Sequence, residues 1–268
     1  MRRLPLSHQR LSSTDQSRCV QARAVHCYLV GAGLGPSDYL TLKAARLISQ
    51  CDVLIYDDLG TEDALFLAKK SCRGFYVGKR GGKAESMKQS QINELLVKEC
   101  LQLRKGDDSE EKCVVRLKGG DPGVFGRLNP ELTALQGAGI DYTLVPGISS
   151  VLAAPLLAGL SLTDVQSSRS FLVTSGHDVG GLDFASFQPI PTLVFVMGGR
   201  NLGLILSKLV SVSRRSKEDH VTIVKNAGRE DQKMWRGTIA TIEEMTNQED
   251  LSPCVIVVGE ASGKEVKG

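Results

Sequence analysis

The sequence has no stretch approaching the roughly 20 consecutive apolar residues that a membrane-crossing helix needs, which excludes an integral membrane protein of the helical kind. It also lacks an excess of charge. Thirty-three basic against 30 acidic residues leave +3, too little to hold nucleic acid without a concentrated basic face. An anionic ligand must therefore be met by a local cluster of cations. No Cys-x-x-Cys pair occurs, and the seven cysteines, Cys19, Cys27, Cys51, Cys72, Cys100, Cys113 and Cys254, are an odd number spread along the chain. That pattern argues against a disulfide framework or a structural zinc site and for a reducing compartment. With only four scattered histidines, no bound metal is expected.

What is present is enough to build a substantial core: 268 residues, 41% of them hydrophobic. The first 26 residues hold five arginines, four serines and a single acid, Asp15, with no apolar run long enough for a secretory signal. Organelle transit segments and plain unstructured tails share that composition. Either way residues 1–26 are set outside the fold. The expected location is intracellular, in a plastid or mitochondrion if the segment targets one and in the cytoplasm if it does not.

From residue 27 onward, short β-branched runs alternate with helical patterns. "CYLVGAG", "DVLIYDD", "GFYVGKR", "CVVRLKGGD" and "YTLVPG" are each followed by a segment with apolar residues at helical spacing. In the first of these, Leu40, Ala44, Leu47 and Ile48 share one helical face. Five strand-then-helix units predict an α/β fold with a mostly parallel sheet and covering helices. The rhythm changes at "LSLTDVQSSRS", residues 160–170. Beyond it come "FLVTSG", "TLVFVMGG", "VTIVKNAG", "KMWRGTIATI" and "CVIVVGE", with one clear helix at "NLGLILSKLVSV". Two consecutive strands near the end predict a smaller α/β domain with a mixed sheet, so the expected domains are 27–160 and 161–268. The seam between two such domains is a natural ligand site.

The first loop, "GAGLGPSD", places Gly31, Gly33 and Gly35 after a strand. A dinucleotide fingerprint needs glycine where Pro36 stands. Ser37 or Asp38 is the expected cap of the next helix. Asp52 or Asp57, at about the distance of a ribose-binding acid, keeps a dehydrogenase open as an outside alternative. The loop by itself requires only close backbone approach.

Further segments follow in order: "YDDL" (56–59), "VGKRGG" (77–82), "VVRLKGGDPGVFGR" (114–127), "VPGISSVLAAP" (145–155), "TSGH" (174–177), "FVMGG" (195–199), "VKNAGREDQ" (224–232), "RGTIATI" (236–242) and "SPCVIVVGE" (252–260). Together with the opening loop, this series resembles the uroporphyrinogen-III C-methyltransferases of the tetrapyrrole methylase family over nearly all of residues 27–260. The resemblance implies two α/β domains, S-adenosylmethionine in the cleft between them, a tetrapyrrole substrate and a homodimer. It matches donor-binding positions to Leu34, Gly119, Gly120, Asp121, Val124, Ser149, Ser150, Met197 and Ala227. Those types suit a zwitterionic nucleoside: glycines admit backbone contacts, Asp121 complements donors, and Met197 offers soft packing. Outside the family context, Met197 reads as core and the glycines as turn formers.

The resemblance also matches Asp57 to a proton acceptor, Lys79 to a proton donor and Arg127 to a substrate contact. In isolation Asp57 reads as a strand-end turn acid and Lys79 as a solvated lysine. A substrate with eight carboxylates calls for a cationic pocket, and Lys79, Arg80, Lys83, Arg116, Lys118 and Arg127 are the candidates, about half of them ordinary surface charges. The chain departs from the family pattern in three places: Leu34 and Pro36 in the first loop, Gly123 in "DPG", and "LNPE" where two glycines and two acids are usual. Only Glu131 keeps its acid there, and loss of the two glycines restricts this loop to negative φ unless Asn129 takes the left-handed conformation. Three functions stay open: conversion of uroporphyrinogen III to precorrin-2, methylation of another tetrapyrrole or a diphthine-type substrate, and a donor-binding protein that has lost the chemistry.

Overall fold

A computed structural model of the protein describes residues 25–58, 62–78, 87–104 and 112–263. Most of the N-terminal arginine- and serine-rich segment, together with Lys79, Arg80 and Lys83, lies outside them. The first sheet contains β1 (His26–Gly31), β2 (Val53–Tyr56), β3 (Arg73–Tyr76), β4 (Cys113–Lys118) and β5 (Asp141–Val145), all parallel, in the order β3-β2-β4-β1-β5. Helices α1 (Leu42–Gln50), α2 (Glu62–Leu65), α3 (Gln89–Arg104) and α4 (Leu128–Gly137) connect these strands. β1 starts at His26, one residue inside the segment set aside as a tail. Cys27, Leu29 and Val30 of β1 are fully buried, as expected of a central parallel strand covered on both faces.

The strand order creates a topological switch point. After β1 the chain crosses to β2, past β4; after β4 it crosses the other way to β5, past β1. The connections leave the β1/β4 pair in opposite directions, and a crevice opens at the carboxyl ends of these two strands. Four glycines let the loops close on one another there. Gly33 and Gly120 exchange backbone hydrogen bonds of 3.2 and 2.8 Å between the loops after β1 and β4. A Cβ on Gly31 would sit 2.5 Å from the Cα of Gly147 and 2.6 Å from the carbonyl oxygen of Gly120, so no larger residue fits where the three loops meet.

α1 is capped by Thr41, whose hydroxyl oxygen accepts from the Ala44 N–H at 3.1 Å. Ser37 and Asp38, expected as caps, lie instead in a separate one-turn 3-10 helix (Ser37–Tyr39). Leu40 then runs extended before α1 begins, which places Thr41 as the last residue before the helical run.

The second sheet contains β6 (Phe171–Ser175), β7 (Thr192–Val196), β8 (His220–Lys225), β9 (Lys233–Thr238) and β10 (Cys254–Gly259) in the order β6-β7-β10-β8-β9. β6 and β7 are parallel and the other pairs antiparallel, the mixed sheet that the consecutive β8 and β9 segments predict. α6 (Leu202–Ser211) and α7 (Ile242–Met245) contribute Leu202, Ile205, Leu206, Leu209 and Ile242 to one core of this lobe, together with Leu193, Phe195 and Ile256. The other face is covered by α5 (Ser150–Leu157). Val151 and Ala154 of α5 pack on Val194, Val196, Val224, Val255 and Val257. α5 follows β5 in sequence but buries its apolar side on the second sheet, so it ties the two lobes together.

Candidate active site

A cavity of about 430 Å³ lies at the switch point, walled on one side by the loops after β1, β2 and β4 and on the other by the ends of β7, β8 and β10. This volume is within the range of small-molecule sites. Asp57, one residue beyond β2, and the run Gly119–Asp121 beyond β4 line it from the first lobe. Val196, Met197, Asn226, Ala227 and Arg229 line it from the second.

Behind the first-lobe wall sits a chain of four charges. Arg116 and Lys118, two apart on β4, point to one face of the sheet. Both reach Glu131 in the first turns of α4. Arg116 Nε donates to Glu131 Oε1 at 2.9 Å, and Lys118 Nζ donates to Oε2 at 2.5 Å. Arg116 also donates through Nη2 to Asp57 Oδ2 at 3.2 Å and through Nη1 to the Leu117 carbonyl at 2.8 Å. The Gly119 N–H donates to Asp57 Oδ1 at 3.4 Å. Glu131 is fully buried and Arg116 and Lys118 nearly so. Burial, followed by the neighbouring Arg116 charge, pushes the Lys118 ammonium below its ordinary pKa, against the pull of Glu131. Two cations and two carboxylates form one connected group, and it holds the Asp57 carboxylate at the cavity wall.

This arrangement changes the part assigned to Arg116 and Lys118. Read as pocket cations for an anionic substrate, they are in fact saturated by Glu131 and Asp57. Arg127 differs: it is exposed, lines the cavity, and makes no side-chain hydrogen bond or ion pair among the described residues. The "LNPE" segment forms the start of α4. Pro130 occupies its third residue, inside the first turn, where a backbone N–H has no intrahelical partner to lose. The left-handed residues are Phe125 (φ 54°) and Arg127 (φ 51°), not Asn129, which is already helical.

The other expected donor-site residues converge on the same cavity: Leu34, Gly119, Gly120, Asp121, Val124, Ser149, Ser150, Met197 and Ala227 all line it. Asp121 is itself engaged, Oδ1 accepting from the Gly123 N–H at 2.8 Å and Oδ2 from the Gly147 N–H at 3.1 Å. Its carboxylate thus fixes the loop after β4 to the loop after β5. Ser149 caps α5 by accepting from the Val151 N–H at 3.4 Å. Met197 is no core residue: it is half exposed, on a left-handed backbone (φ 55°) just past β7. Asp52, an alternative ribose acid, sits at the opposite end of β2, where it accepts from Lys69 Nζ at 2.8 Å and the Cys113 N–H at 3.0 Å. Lys79, the expected proton donor, lies outside the described residues, as do Arg80 and Lys83.

The sequence profile of the Tetrapyrrole (Corrin/Porphyrin) Methylases matches residues 26–243. The chain belongs to this family. It is 43% identical over 233 residues to a uroporphyrinogen-III C-methyltransferase of Synechococcus elongatus, covering 87% of this chain and 92% of the relative. It is 39% identical to the enzyme of the same name from Methanocaldococcus jannaschii, covering 87% and 94%. Among solved structures, the uroporphyrin-III C-methyl transferase of Thermus thermophilus complexed with S-adenyl homocysteine superposes with a TM-score of 0.72 at 34% identity, over 88% of this chain and 98% of that one. A cobalt precorrin-4 methyltransferase shares the fold, with a TM-score of 0.77 at 22% identity over 88% and 95%.

Three features of this family member escaped the sequence, the first two of them at the site. Glu131 was noted only as a surviving acid, because its partners lie 15 and 13 residues away on another element. Arg229 lines the cavity from the second lobe, but nothing in "NAGREDQ" distinguishes it from a surface arginine. Cys51 and Cys72, 21 residues apart in sequence, hold their sulfurs 3.6 Å apart, and burial pushes both thiols above their ordinary pKa.

Proposed function

We propose that this protein is an S-adenosylmethionine-dependent methyltransferase that converts uroporphyrinogen III to precorrin-2 by two successive C-methylations. The observation that carries this is the convergence on one cavity of the Asp57 carboxylate, held by buried Arg116, and the glycine-rich loop after β4. The residues fit the donor. A Cβ on Gly120 (φ 68°) would meet nothing nearer than the Ser149 Cα at 4.0 Å, so the glycine leaves open space beside exposed backbone, and Met197 and Ala227 face it from the second lobe.

When bound there, S-adenosylmethionine supplies an electrophilic methyl on a sulfonium, so the protein needs neither a metal nor a nucleophile of its own for this step. The two lobes hold the ring carbon in line and exclude water. Asp57 receives the proton that the tetrapyrrole releases, on a carboxylate oriented by Arg116 Nη2 and the Gly119 N–H. Arg127 engages a substrate carboxylate, and Lys79 stands as the proton-donor candidate that the family resemblance supplies. Glu131 supports this function over a donor-binding protein without activity, because the "LNPE" segment still delivers its carboxylate to Arg116 and Lys118.

The active form we propose is a homodimer. Ile148, Leu152 and Leu156 recur at helical spacing along and just before α5 and are all exposed, as is Leu144 on the edge strand β5; a second copy covering this stripe accounts for it. We further infer that residues 27–160 and 161–268 are its two domains and that the segment ahead of the first strand directs import into a plastid or mitochondrion, which a fluorescent fusion of that segment tests.

The activity is tested by incubating the protein anaerobically with uroporphyrinogen III and methyl-labelled S-adenosylmethionine. Label in a dimethylated product with the absorbance of precorrin-2 is expected. No label, with S-adenosylhomocysteine still bound, would contradict the proposed substrate.

A further inference from the structure

Four cations line the cavity among the described residues: Arg116, Lys118, Arg127 and Arg229. Arg116 and Lys118 are neutralised by Glu131 and Asp57. Arg229 is the only charged side chain in the second lobe's share of the wall, and it makes no side-chain hydrogen bond or ion pair among the described residues. The acids beside it in sequence leave it unpaired: Asp231 accepts from Asn226 Nδ2 at 2.6 Å, and Glu230 points to solvent.

The guanidinium nevertheless has a fixed place. It lies across the backbone of Gly35, where an added Cβ would come within 3.1 Å of Nε and 3.2 Å of Nη2. Its own loop is braced. The Arg229 N–H donates to the Asn226 carbonyl at 3.0 Å, and the Gly228 N–H to Gln232 Oε1 at 2.8 Å. Gly228 packs so tightly on the first lobe that a Cβ there would sit 2.8 Å from both Leu34 and Tyr39 side-chain atoms. A partly buried guanidinium, held against one lobe by the other, lines the cavity without pairing to any of the acids described there. Such a group is suited to a carboxylate brought by a ligand.

We propose that Arg229 is a carboxylate-binding residue of this site, gripping the ligand from the second lobe as Arg127 does from the first. The inference rests on the methyltransferase function proposed above, whose ligands offer two sources of that chemistry: the eight carboxylates of the tetrapyrrole and the single carboxylate of the donor's methionine end.

The test compares the parent protein with Arg229→Gln and Arg229→Lys, using three probes by calorimetry or fluorescence: S-adenosylhomocysteine, its decarboxylated analogue, and uroporphyrin III. If Arg229 holds the donor, the parent's preference for S-adenosylhomocysteine over the decarboxylated analogue collapses by about tenfold or more in Arg229→Gln and is partly restored in Arg229→Lys. If it holds the tetrapyrrole, that preference is unchanged, while uroporphyrin III affinity falls by about the same factor. Two results overturn the proposal: preference and uroporphyrin affinity both within twofold of the parent, or equal losses for S-adenosylhomocysteine and its decarboxylated analogue with uroporphyrin binding intact, which mark Arg229 as packing only. A parent that binds all three probes without methylating uroporphyrinogen III would refute the proposed activity while leaving the Arg229 comparison decisive.

Discussion

The two lobes bury different kinds of polar group. In the first, the buried polar residues among those described are charged: Glu99, Arg116, Lys118 and Glu131. In the second they are hydroxyls: Ser168, Thr192, Ser213, Thr222, Thr246 and Ser262. Most of these hydroxyls are absorbed by neighbouring backbone or by each other, as in Ser168 to Thr192 at 2.9 Å and Ser262 to the Val257 carbonyl at 2.8 Å. Charge taken out of water is costly unless it is paired and hydrogen-bonded. The first lobe carries that cost at the end of β4 and gains an oriented carboxylate at the cavity. The second lobe is an apolar support that closes the cavity and offers Met197, Ala227 and Arg229 at its edge. The division of labour follows from topology, because only the parallel sheet has a switch point.

The largest expected effect breaks the charged side of this comparison. Glu131→Gln leaves Arg116 and Lys118 buried with Asp57 as their only acid, and we expect a loss of about 3–5 kcal/mol of stability, read by urea denaturation, with reduced turnover in the protein that stays folded. Phe195→Ala breaks the apolar side. The residue is fully buried, with Phe187 against it at 6.2 Å between ring centroids. Stability should fall by a similar or slightly smaller amount, about 3–4 kcal/mol, but donor affinity of the folded protein should stay at the parent level. Equal damage to turnover from both variants would erase the distinction between the lobes.

A smaller effect is read by pH and compares two residues that line the cavity, one from each lobe. Burial pushes the Cys254 thiol of the second lobe from 9.0 up to about 12. A folded pKa above the unfolded one gives stability that is complete below pH 9 and is lost as the pH rises toward 12. The slope is about 1.4 kcal/mol per pH unit at most. Lys118 in the first lobe runs the opposite way: its folded pKa is lowered, so below 10.5 the unfolded chain binds more protons and stability rises with pH. Cys254→Ala removes only the first contribution. Its stability should therefore fall less steeply than the parent's above pH 9, and parallel curves would contradict the assignment. Least of all, Thr41→Ala removes the cap of α1 and should cost about 1 kcal/mol, measured by thermal melting, without altering donor affinity.

Much of this was legible in the sequence. Alternating apolar runs marked all ten strands, because strand cores such as Val53–Ile55 and Val255–Val258 are buried on both faces and read as continuous hydrophobic stretches. Glycines 31, 33, 119 and 120 marked the loops that meet at the cavity, since close backbone approach admits no other residue at Gly31. Strand order was not legible: nothing local in β4 says that it inserts between β2 and β1. The same long-range insertion hid the fate of Arg116 and Lys118, which on paper are two more cations near a strand end. Their neutralisation depends on α4 bringing Glu131 back over β4, a tertiary event. Thr41 over Ser37 and Asp38 was lost to a one-turn helix too short to show periodicity. Arg229 carries its meaning only through what it lies against.

The most direct test of the central claim, that the first lobe's charge chain holds the proton acceptor, is a single-turnover methyl-transfer measurement on Asp57→Asn alongside its affinity for S-adenosylhomocysteine. The account predicts transfer slowed by about 10²–10⁴-fold with affinity within a factor of about two of the parent, because Asp57 acts on the substrate's proton and the donor rests on other residues. Transfer at the parent rate would contradict it.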